Sequence, residues 1–583
     1  MKGEKAPSKK KIPKFAEVKK PLIIGSLVAV IAIAGITIGI IIIDHGGDDS
    51  DQEVVFIYGT TRLLRVIDPL DIMDLCEINV VSQVLEGLFD IDVTSPNSDI
   101  IYGLAINHSW SSDALNLTCI LRQGVEFHDG TQFNATAVKW HFDRIYRLRN
   151  NLSYPELWHF PDGKFLINQT QVLGEYTVRF VLNSPYVPFM SLLSSWTSFI
   201  LSPTSTPEDR FINNNETLVG TGPFIYDFCA FEFVESVNET TPVNVTYSAN
   251  PHYWGGPPNI DKLIFLRFFS WSDLLEALQS GQINFTISNG FTESELEPFE
   301  SNSSFIIHEG IPNNYLNWLV MNNELINVTM RKAVSYAFNY SSIIEATWVD
   351  DRRATSPIPE RTLYHNITDI EIPIYNVSYA RQILKDANWP DTALLTANSN
   401  ISAGNEWELI ANSSTPLAIY NYSRVDWFVG TDVIDYTEQQ LVEDLKQIGV
   451  KIEIVNITYY EWIAMGYEYP PYHRNMINFA YNFWAGDYND PFTFINYFYM
   501  NTSRDNWGQV CDSDVQDWME QTVKETDPIK RRNLYYNIQK LLIEEVYPSI
   551  WLTYTTKIAI YISSLRGWYP NCYRLSFKSV YFD

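Results

Sequence analysis

The sequence predicts a mixed α/β fold that is preceded by one transmembrane helix. Segments with helical periodicity alternate with short β-rich segments from about residue 54 to the C-terminus. Near the N-terminus, residues 22–43 form an uncharged run whose only polar side chains are Ser26 and Thr37. Roughly 20 apolar residues are enough to span a bilayer as a helix.

The N-terminal region divides into three parts by charge. We expect residues 1–20 to be a cytoplasmic basic tail, residues 21–43 to be the transmembrane anchor and residues 44–53 to be a charged linker. A cleaved signal peptide is the alternative, but its apolar core is usually shorter, about 7–15 residues. A lipid anchor is disfavoured because the first cysteine is Cys76. The chain is therefore expected to cross the cell membrane once, with its N-terminus in the cytoplasm and its bulk outside.

The charge of the chain argues against one class of partner. The net charge is −28 over 583 residues, although the first 20 residues are basic. An acidic body repels phosphate backbones, so we expect no nucleic-acid partner. A hydrophobic content of 46% argues against general disorder.

The first elements of the body are predicted from their periodicity and turn residues. Residues 54–59, VVFIYG, predict a strand, and the apolar positions that follow Asp68 up to Leu88 predict a helix. Residues 121–144, LRQGVEFHDGTQFNATAVKWHFDR, predict a strand, an Asp-Gly turn and a helix that Asn134 caps.

Later helices are predicted from the residues at their N-termini. Ser272 is expected to cap one helix, and Thr437 with Gln440 forms a capping-box pattern before another. Asp527, followed by proline, predicts the start of a third. Residues 450–454 alternate as a strand would.

Sequons and cysteines add to the extracellular prediction. The five cysteines are too far apart for a zinc motif, and outside the cell one or two disulfides are expected, with no pairing favoured. Asn-x-Ser/Thr sequons occur throughout the body and predict a glycosylated surface. The candidate glycosylation sites are Asn107, Asn116, Asn168, Asn215, Asn238, Asn244, Asn302, Asn366, Asn400, Asn412 and Asn501.

A series of sequence blocks carries a family resemblance. The blocks are LEGLFDID (85–92), the LR and FHDG words within 103–130, VGTGPF (219–224), NPHYWGGPPNIDKLIF (250–265), LLEALQSGQINF (274–285), MRKAVSYAFN (330–339), ARQILKDANWP (380–390), LVEDLKQIGVKIEI (441–454) and WAGDYNDP (484–491). In this order they resemble the family 5 extracellular solute-binding proteins, the peptide-binding type of ATP-binding cassette importers. Two departures are the sequon at 134–136 and the segment 391–436, which matches no block and is expected to be a polar insertion.

The resemblance implies a two-lobed, periplasmic-binding-protein-like fold of type II with an extra inserted domain. The implied core domain of lobe one comprises residues 54–93, 218–312 and 556–583, with an inserted domain at 94–217. Lobe two is implied at 313–555, so that the chain crosses between the lobes near 312 and 555. An anchored, sequon-rich member without a lipid anchor is typical of an archaeal source.

The WAGDYNDP block is the best candidate for ligand binding. In peptide-binding relatives, the Asp at the place of Asp487 pairs with the ligand's α-ammonium, and the Trp at the place of Trp484 helps to wall the cleft. Tyr488 and Phe483 are expected to be further walls. A carboxylate holds an ammonium more strongly in a water-poor cleft than at a surface. The alternative is that Asp487 only tightens the loop.

Other chemistry-bearing residues are predicted to be structural. His128 and Asp129 lie in a turn, and Arg331 and Lys332 lie on a helix whose other face is apolar. Common catalytic motifs such as HExxH, G-x-S-x-G and the P-loop are absent from the sequence. We therefore expect no enzyme activity, no cofactor and no metal.

The expected function is capture of di- or oligopeptides in an interlobe cleft. The expected partners are a small solute, an ATP-binding cassette permease with its ATPase subunits, and the membrane, and the protein is expected to be a monomer. Oligosaccharide capture is an alternative, and so is a sensor or adhesin that keeps the binding fold. A secreted hydrolase is a third class, which product formation would reveal.

Overall fold

The computed structural model describes most of the body of the protein. The described residues are 53–63, 66–72, 74–92, 95, 99–160, 163–234, 239–288, 290–346, 351–389, 405–425, 432–458, 461–462, 464–465, 477–571 and 573–583. Among them, no helix is both long enough and apolar enough to cross a membrane. The predicted tail 1–20, the predicted anchor 21–43 and the linker 44–53, apart from Glu53, lie outside the described residues.

Strands and helices alternate along the chain, as predicted for a mixed α/β fold. The strands are β1 Val55–Thr60, β2 Phe89–Ile91, β3 Ile100–Tyr102, β4 Ala105–Trp110, β5 Asn116–Leu121, β6 Ile167–Gly174, β7 Thr177–Leu182, β8 Phe224–Val234, β9 Glu239–Ala249, β10 Lys262–Arg267, β11 Phe285–Ser288, β12 Phe305–Met321, β13 Arg352–Arg353, β14 Ala418–Val425, β15 Val450–Ile457, β16 Phe479–Ala485, β17 Ser549–Ile562, β18 Leu565–Arg566 and β19 Tyr581–Phe582. The α-helices are α1 Leu75–Val81, α2 Ala135–Leu148, α3 Phe189–Leu193, α4 Trp271–Gln279, α5 Glu293–Glu300, α6 Val328–Ala337, α7 Tyr340–Ala346, α8 Val377–Asp386, α9 Asn405–Ala411, α10 Asp432–Lys446, α11 Phe492–Tyr499, α12 Ser513–Thr522 and α13 Pro528–Leu541.

The largest sheet is organised around two long strands. In the described part of the chain its order is β15-β14-β16-β12-β17-β11-β1-β10-β9-β8. Strands β12 and β17 pair antiparallel from Phe305 opposite Ile562 to Val320 opposite Ser549. The register shifts after His308, after Pro312 and after Asn317. The sheet is continuous, and its other strands lie on the two sides of β12 and β17. One half-sheet contains β8 to β11 and β1, and the other contains β14, β15 and β16. The chain crossings predicted near 312 and 555 fall within these two strands.

A separate four-stranded sheet lies in the segment that the resemblance assigns to an inserted domain. Its order is β4-β5-β7-β6, and all neighbours in it are antiparallel. Alternate residues of β5 and β7, such as Leu117 and Phe180, are completely buried. Phe142 of α2 packs edge-on against Phe180 at a ring distance of 4.7 Å, so the helix covers this face of the sheet.

Local signals predicted some helix ends correctly and others wrongly. Asn134 caps α2 and Asp527 caps α13, each accepting two backbone N–H groups as predicted. The cap of α4 is Ser270, not Ser272, because the Ser270 hydroxyl accepts from the backbone N–H of residue 273. Thr437 lies completely buried inside α10, so the predicted capping box there is wrong. The apolar side chain of Ile434 is buried as well and continues the packed face of this helix toward its N-terminus.

Two other sequence expectations need correction. The segment 391–436 is not simply a polar insertion, since it contributes β14, which pairs with both β15 and β16. In the described part of the chain, the cysteines at 76, 119, 229 and 511 are all free, so disulfides among these four are ruled out. They lie on separate elements, with Cys119 in the core of the four-stranded sheet. Cys572 is outside the described residues.

The candidate glycosylation sites differ in their exposure. Exposed side chains are those of Asn107, Asn168, Asn215, Asn302, Asn412 and Asn501, and those of Asn116 and Asn366 are partly exposed. Asn244 is only 6% exposed and lies inside β9 between β8 and β10, which leaves no space for a glycan in the folded protein. Asn238 and Asn400 are outside the described residues.

Three of the sequence blocks meet at Glu86. Its carboxylate accepts hydrogen bonds from the Thr221 hydroxyl at 2.8 Å, the Tyr253 hydroxyl at 2.7 Å and the Trp254 indole N–H at 2.9 Å. Gly222 packs so closely on this segment that an added Cβ would lie 2.6 Å from the Val84 carbonyl oxygen. The GTGPF block therefore has a structural role.

Candidate functional site

The loop that carries the predicted binding residues connects β16 to α11. Asp490 fixes its far end by accepting from the backbone N–H of Phe492 and by pairing with Arg531. The Arg531 guanidinium donates to both carboxylate oxygens of Asp490, at 2.7 and 2.8 Å, and both side chains are 3% exposed. A buried bidentate pair of this kind restrains the loop geometrically.

The near end of the loop is fixed by a close approach at Gly486. A Cβ at this position would lie 2.6 Å from the Phe494 ring and 2.7 Å from the Asn314 side-chain nitrogen. The Gly486 N–H also donates to the Asn314 carbonyl oxygen at 3.3 Å. Asp487 thus follows a backbone position at which no larger residue fits without displacement.

Asp487 presents a buried carboxylate oxygen that has no hydrogen-bond partner among the described residues. This atom is Oδ2, and the residue as a whole is partly buried. Burial raises the pKa of Asp487 to about 8, with further increases from Glu156 and Asp505 that the nearby Tyr497 hydroxyl partly offsets. The Asp487 carbonyl oxygen accepts from the Ser195 hydroxyl at 3.2 Å. The carboxyl therefore does not serve as a loop cap through Oδ2, and a cation placed beside it would favour the charged form.

Aromatic rings pack around Trp484, three residues before this carboxyl. Trp484 packs edge-on against Tyr154 at 5.9 Å, against Tyr497 at 5.7 Å and against Phe498 at 5.6 Å. Tyr154 in turn contacts Trp196 at 6.1 Å. The indole N–H groups of Trp484 and Trp196 are buried and have no acceptor among the described residues. Such walls suit a cation or an apolar ligand surface.

Further polar atoms of this region are buried without hydrogen-bond partners among the residues described. They are Glu156 Oε2, Thr197 Oγ1, the Tyr497 hydroxyl and both side-chain polar atoms of Asn496. Buried polar groups of folded proteins nearly always find a partner, in the protein, in water or in a ligand. This concentration therefore marks the region around Asp487 as the candidate binding site.

Glu156 and Arg504 form an ion pair at the edge of the site. The Arg504 Nε atom lies 2.6 Å from Glu156 Oε1, and its guanidinium also donates to the Ser153 carbonyl oxygen at 3.2 Å. Burial raises the pKa of Glu156 to about 7, although Arg504 lowers it. Glu156 precedes β6 of the four-stranded sheet, whereas Arg504 follows α11. The pair thus links two segments that are far apart in sequence.

The predicted walls of the cleft do not all lie together. Trp484, three residues before Asp487, packs against Tyr497, whose hydroxyl lowers the pKa of the Asp487 carboxyl. Phe483 points to the opposite face of β16, where it is 37% exposed and stacks on Tyr315. Tyr488 is completely buried, and its hydroxyl lies 3.3 Å from that of Tyr186. Tyr488 consequently joins two segments of the core and offers no surface to a ligand.

Sequence reasoning missed Glu156, Trp196 and Tyr497. Glu156 and Trp196 lie about 290 to 340 positions before Asp487, and Tyr497 lies inside the highly aromatic helix α11. Spacing along the chain therefore gives no indication that they are close to Asp487. The single weak signal is Asn496, an amide among the aromatic residues of α11.

Three of the residues that the sequence predicted to be structural form hydrogen bonds within the protein. Arg331 is 6% exposed and donates to the carbonyl oxygens of Ile326 and Val546. The His128 Nε2–H donates to the Gly222 carbonyl oxygen at 3.0 Å, and Asp129 accepts from the hydroxyls of three neighbouring residues.

The fold is mixed α/β, and its two half-sheets share two long strands. A partly buried polar site follows one of the strands that pair with them. Together these features define the class of two-lobed binding proteins. The family model for bacterial extracellular solute-binding proteins, family 5, matches residues 99–506. The chain belongs to this family.

Individual relatives agree with the family assignment. The glutathione-binding protein GsiB of Pectobacterium atrosepticum is 26% identical over 406 residues, which cover 69% of each chain. The binding protein DppA from Helicobacter pylori, solved in complex with peptide STSA, superposes with a TM-score of 0.70 at 19% identity, covering 91% of this chain and 98% of that one. The NikA protein from Brucella suis, solved in complex with Fe(III)-EDTA, has a TM-score of 0.73 at 19% identity, covering 91% of this chain and all of that one.

Proposed function

We propose that the protein captures peptides by their free amino terminus and delivers them to an ATP-binding cassette import permease. The observation that carries this proposal is the buried, unpartnered Oδ2 atom of Asp487 among aromatic rings. An α-ammonium there would supply the missing donor and would stabilise the ionised carboxylate. Relatives named for glutathione and solved with a peptide support this choice of solute.

The proposal places the protein on the outer face of a membrane. The apolar run 21–43 would anchor it, and exposed sequons such as Asn107 and Asn501 would carry glycans. The inserted domain 94–217 and the core domain would form one lobe, and residues 313–555 would form the other. Ligand would stabilise the closed arrangement by contacting both lobes, without any covalent change.

Binding of a tripeptide pool tests the proposal. We expect the purified extracellular part to retain members of an Ala-Xaa-Ala pool with free amino termini, as read by mass spectrometry, and to release them unchanged. The same pool after N-acetylation should not be retained, because an acetylated amine carries no positive charge. Equal retention of both pools would refute amine recognition and favour a neutral solute such as an oligosaccharide. Cleavage of the peptides would indicate a hydrolase.

A further inference from the structure

Glu156 stands beside the candidate ammonium site and has no part in the function proposed so far. Its Oε2 atom is buried and lacks a hydrogen-bond partner among the described residues, as does Asp487 Oδ2. Its other oxygen, Oε1, is occupied by Arg504 at 2.6 Å. Arg504 therefore orients this carboxylate and leaves one oxygen available.

Ring contacts bring the two carboxylates and one hydroxyl into one region, because Tyr154, two residues before Glu156, packs on Trp484, which packs on Tyr497. After burial, Asp487 and then Glu156 are the next causes that raise the pKa of Tyr497, and Glu156 likewise adds to the raised pKa of Asp487. Tyr497 is 3% exposed, and its hydroxyl lacks a partner of hydrogen-bond geometry in the described part of the chain. Three buried oxygen atoms without hydrogen-bond partners among the described residues thus belong to one cluster.

Three acceptors match the hydrogen-bonding capacity of one primary ammonium. An ammonium group of the form R–NH₃⁺ carries three N–H donors and no acceptor. We propose that Glu156 is the second carboxylate of the ammonium site, so that one primary ammonium donates to Asp487 Oδ2, Glu156 Oε2 and the Tyr497 hydroxyl. This inference rests on the proposed function, because it assigns the peptide's α-ammonium to that position.

The arrangement has two consequences for binding. Glu156 belongs to the segment of the four-stranded sheet, and Asp487 follows β16 of the large sheet, so a shared ammonium ties the two segments together. A secondary ammonium, as in an N-methylated peptide, has only two N–H donors and leaves one buried acceptor unpaired. Leaving a buried polar group unpaired weakens binding more than a missing surface contact does.

Calorimetry with three forms of one tripeptide tests the inference. The peptide is the Ala-Xaa-Ala member that the purified protein retains best, prepared with a primary, an N-methylated and an N-acetylated amino terminus. We expect N-methylation to weaken binding to the native protein by at least about tenfold, and Glu156→Gln to weaken binding of the primary amine by about 10- to 100-fold. In Glu156→Gln, N-methylation of the peptide should reduce the binding affinity by no more than about a further threefold. The reason is that the acceptor at position 156 no longer carries a charge.

Two further variants separate a binding role from a structural one. Glu208→Gln removes an exposed glutamate that also pairs with an arginine, at 2.9 Å, and should leave all three affinities within about twofold of native. Tyr497→Phe removes the hydroxyl and keeps the ring, so it should reduce the N-methylation penalty in the same way even if Glu156→Gln does not fold.

The results distinguish the inference from the function on which it rests. If acetylation leaves the native affinity unchanged, the amine-binding function itself is refuted. If acetylation and Asp487→Asn both weaken binding while Glu156→Gln and Tyr497→Phe keep the native affinity and the native N-methylation penalty, then only the second carboxylate is refuted.

Discussion

Replacing Asp487 with asparagine should weaken ligand binding and at the same time stabilise the ligand-free protein. Burial raises the pKa of this carboxyl to about 8, whereas an unfolded chain has an aspartate pKa of about 4. The carboxyl is protonated in both states below about pH 4, so the folded state has no disadvantage there. As the pH rises from about 4 to 8, the unfolded state ionises more readily, and the free energy of unfolding falls.

The loss in the free energy of unfolding follows from the difference between the two pKa values. One pKa unit corresponds to about 1.4 kcal/mol, so the four units between about 4 and about 8 give an upper value of about 5.6 kcal/mol above pH 8. Because Asp487 is only partly buried, solvent screening reduces this value to about 2–3 kcal/mol. Asparagine has nearly the same shape and no charge, so Asp487→Asn should recover most of that free energy. For a body of this size the melting temperature should rise by about 2–3 °C at pH 8 and by much less at pH 5.

Binding should change in the opposite direction. Removing one partner of a buried charge pair costs about 3–5 kcal/mol, because the other charge remains unpaired. The affinity for a free-amine tripeptide should therefore fall by about two to three decades. Scanning calorimetry at pH 5 and pH 8, combined with isothermal titration, measures both effects. Asp517→Asn, which removes an exposed carboxylate from α12, is the matched control and should change neither quantity.

The outcome can refute the reasoning in two ways. If Asp487→Asn lowers the melting temperature at pH 8, the carboxylate has a structural role and its Oδ2 atom is not available for a ligand. If the melting temperature rises but peptide affinity is unchanged, the Asp487 carboxylate does destabilise the folded protein. The proposed contact between this carboxylate and the peptide's ammonium is then wrong.

Three further predictions concern proton linkage, the loop and the membrane anchor. Because Asp487 must lose a proton to bind an ammonium, affinity for a free-amine peptide should rise about tenfold per pH unit between pH 5.5 and 7.5. Calorimetric titration in buffers of different ionisation enthalpy should detect proton release near pH 7. An affinity that does not change with pH would contradict this prediction. Asp490→Asn should destabilise the protein by about 3–5 kcal/mol in chemical denaturation, because Arg531 stays buried without its partner, and a change below about 1 kcal/mol would show that the pair is dispensable. N-terminal sequencing of the native protein should return the start of the basic tail, whereas a start near residue 45 or later would show a cleaved leader.

The parts of the fold that could be predicted from the sequence depend on local interactions. Asn134 and Asp527 cap their helices because a side-chain oxygen reaches N–H groups two or three residues away, and the sequence contains all of that information. Thr437 has the same local pattern, yet the buried packing of α10 extends the helix past it. Tertiary packing decides between such local options, and one sequence does not reveal it.

The sequence could indicate only the part of the candidate site that lies in the WAGDYNDP block, at Asp487 and Trp484. Asp487 lies in a block that resembles a known family, so it could be proposed without knowledge of the fold. Glu156 and Tyr497 come from the segment before β6 and from α11, and only the folded chain brings them to Asp487. Tyr488 was misplaced because a loop neighbour in sequence is not always a neighbour in the cleft, and here its side chain points into the core.

The two aspartates of one loop show how this protein separates rigidity from recognition. Asp490 has its charge fully compensated by Arg531 and holds the loop, while Asp487, three residues earlier, has a buried oxygen with no compensation. An uncompensated acid destabilises the ligand-free fold, and evolution commonly accepts such a loss at sites that must bind. The same Asp→Asn change should therefore stabilise the protein at one position and destabilise it at the other. The opposite signs follow from a single physical difference, which is whether the buried carboxylate already has its cation.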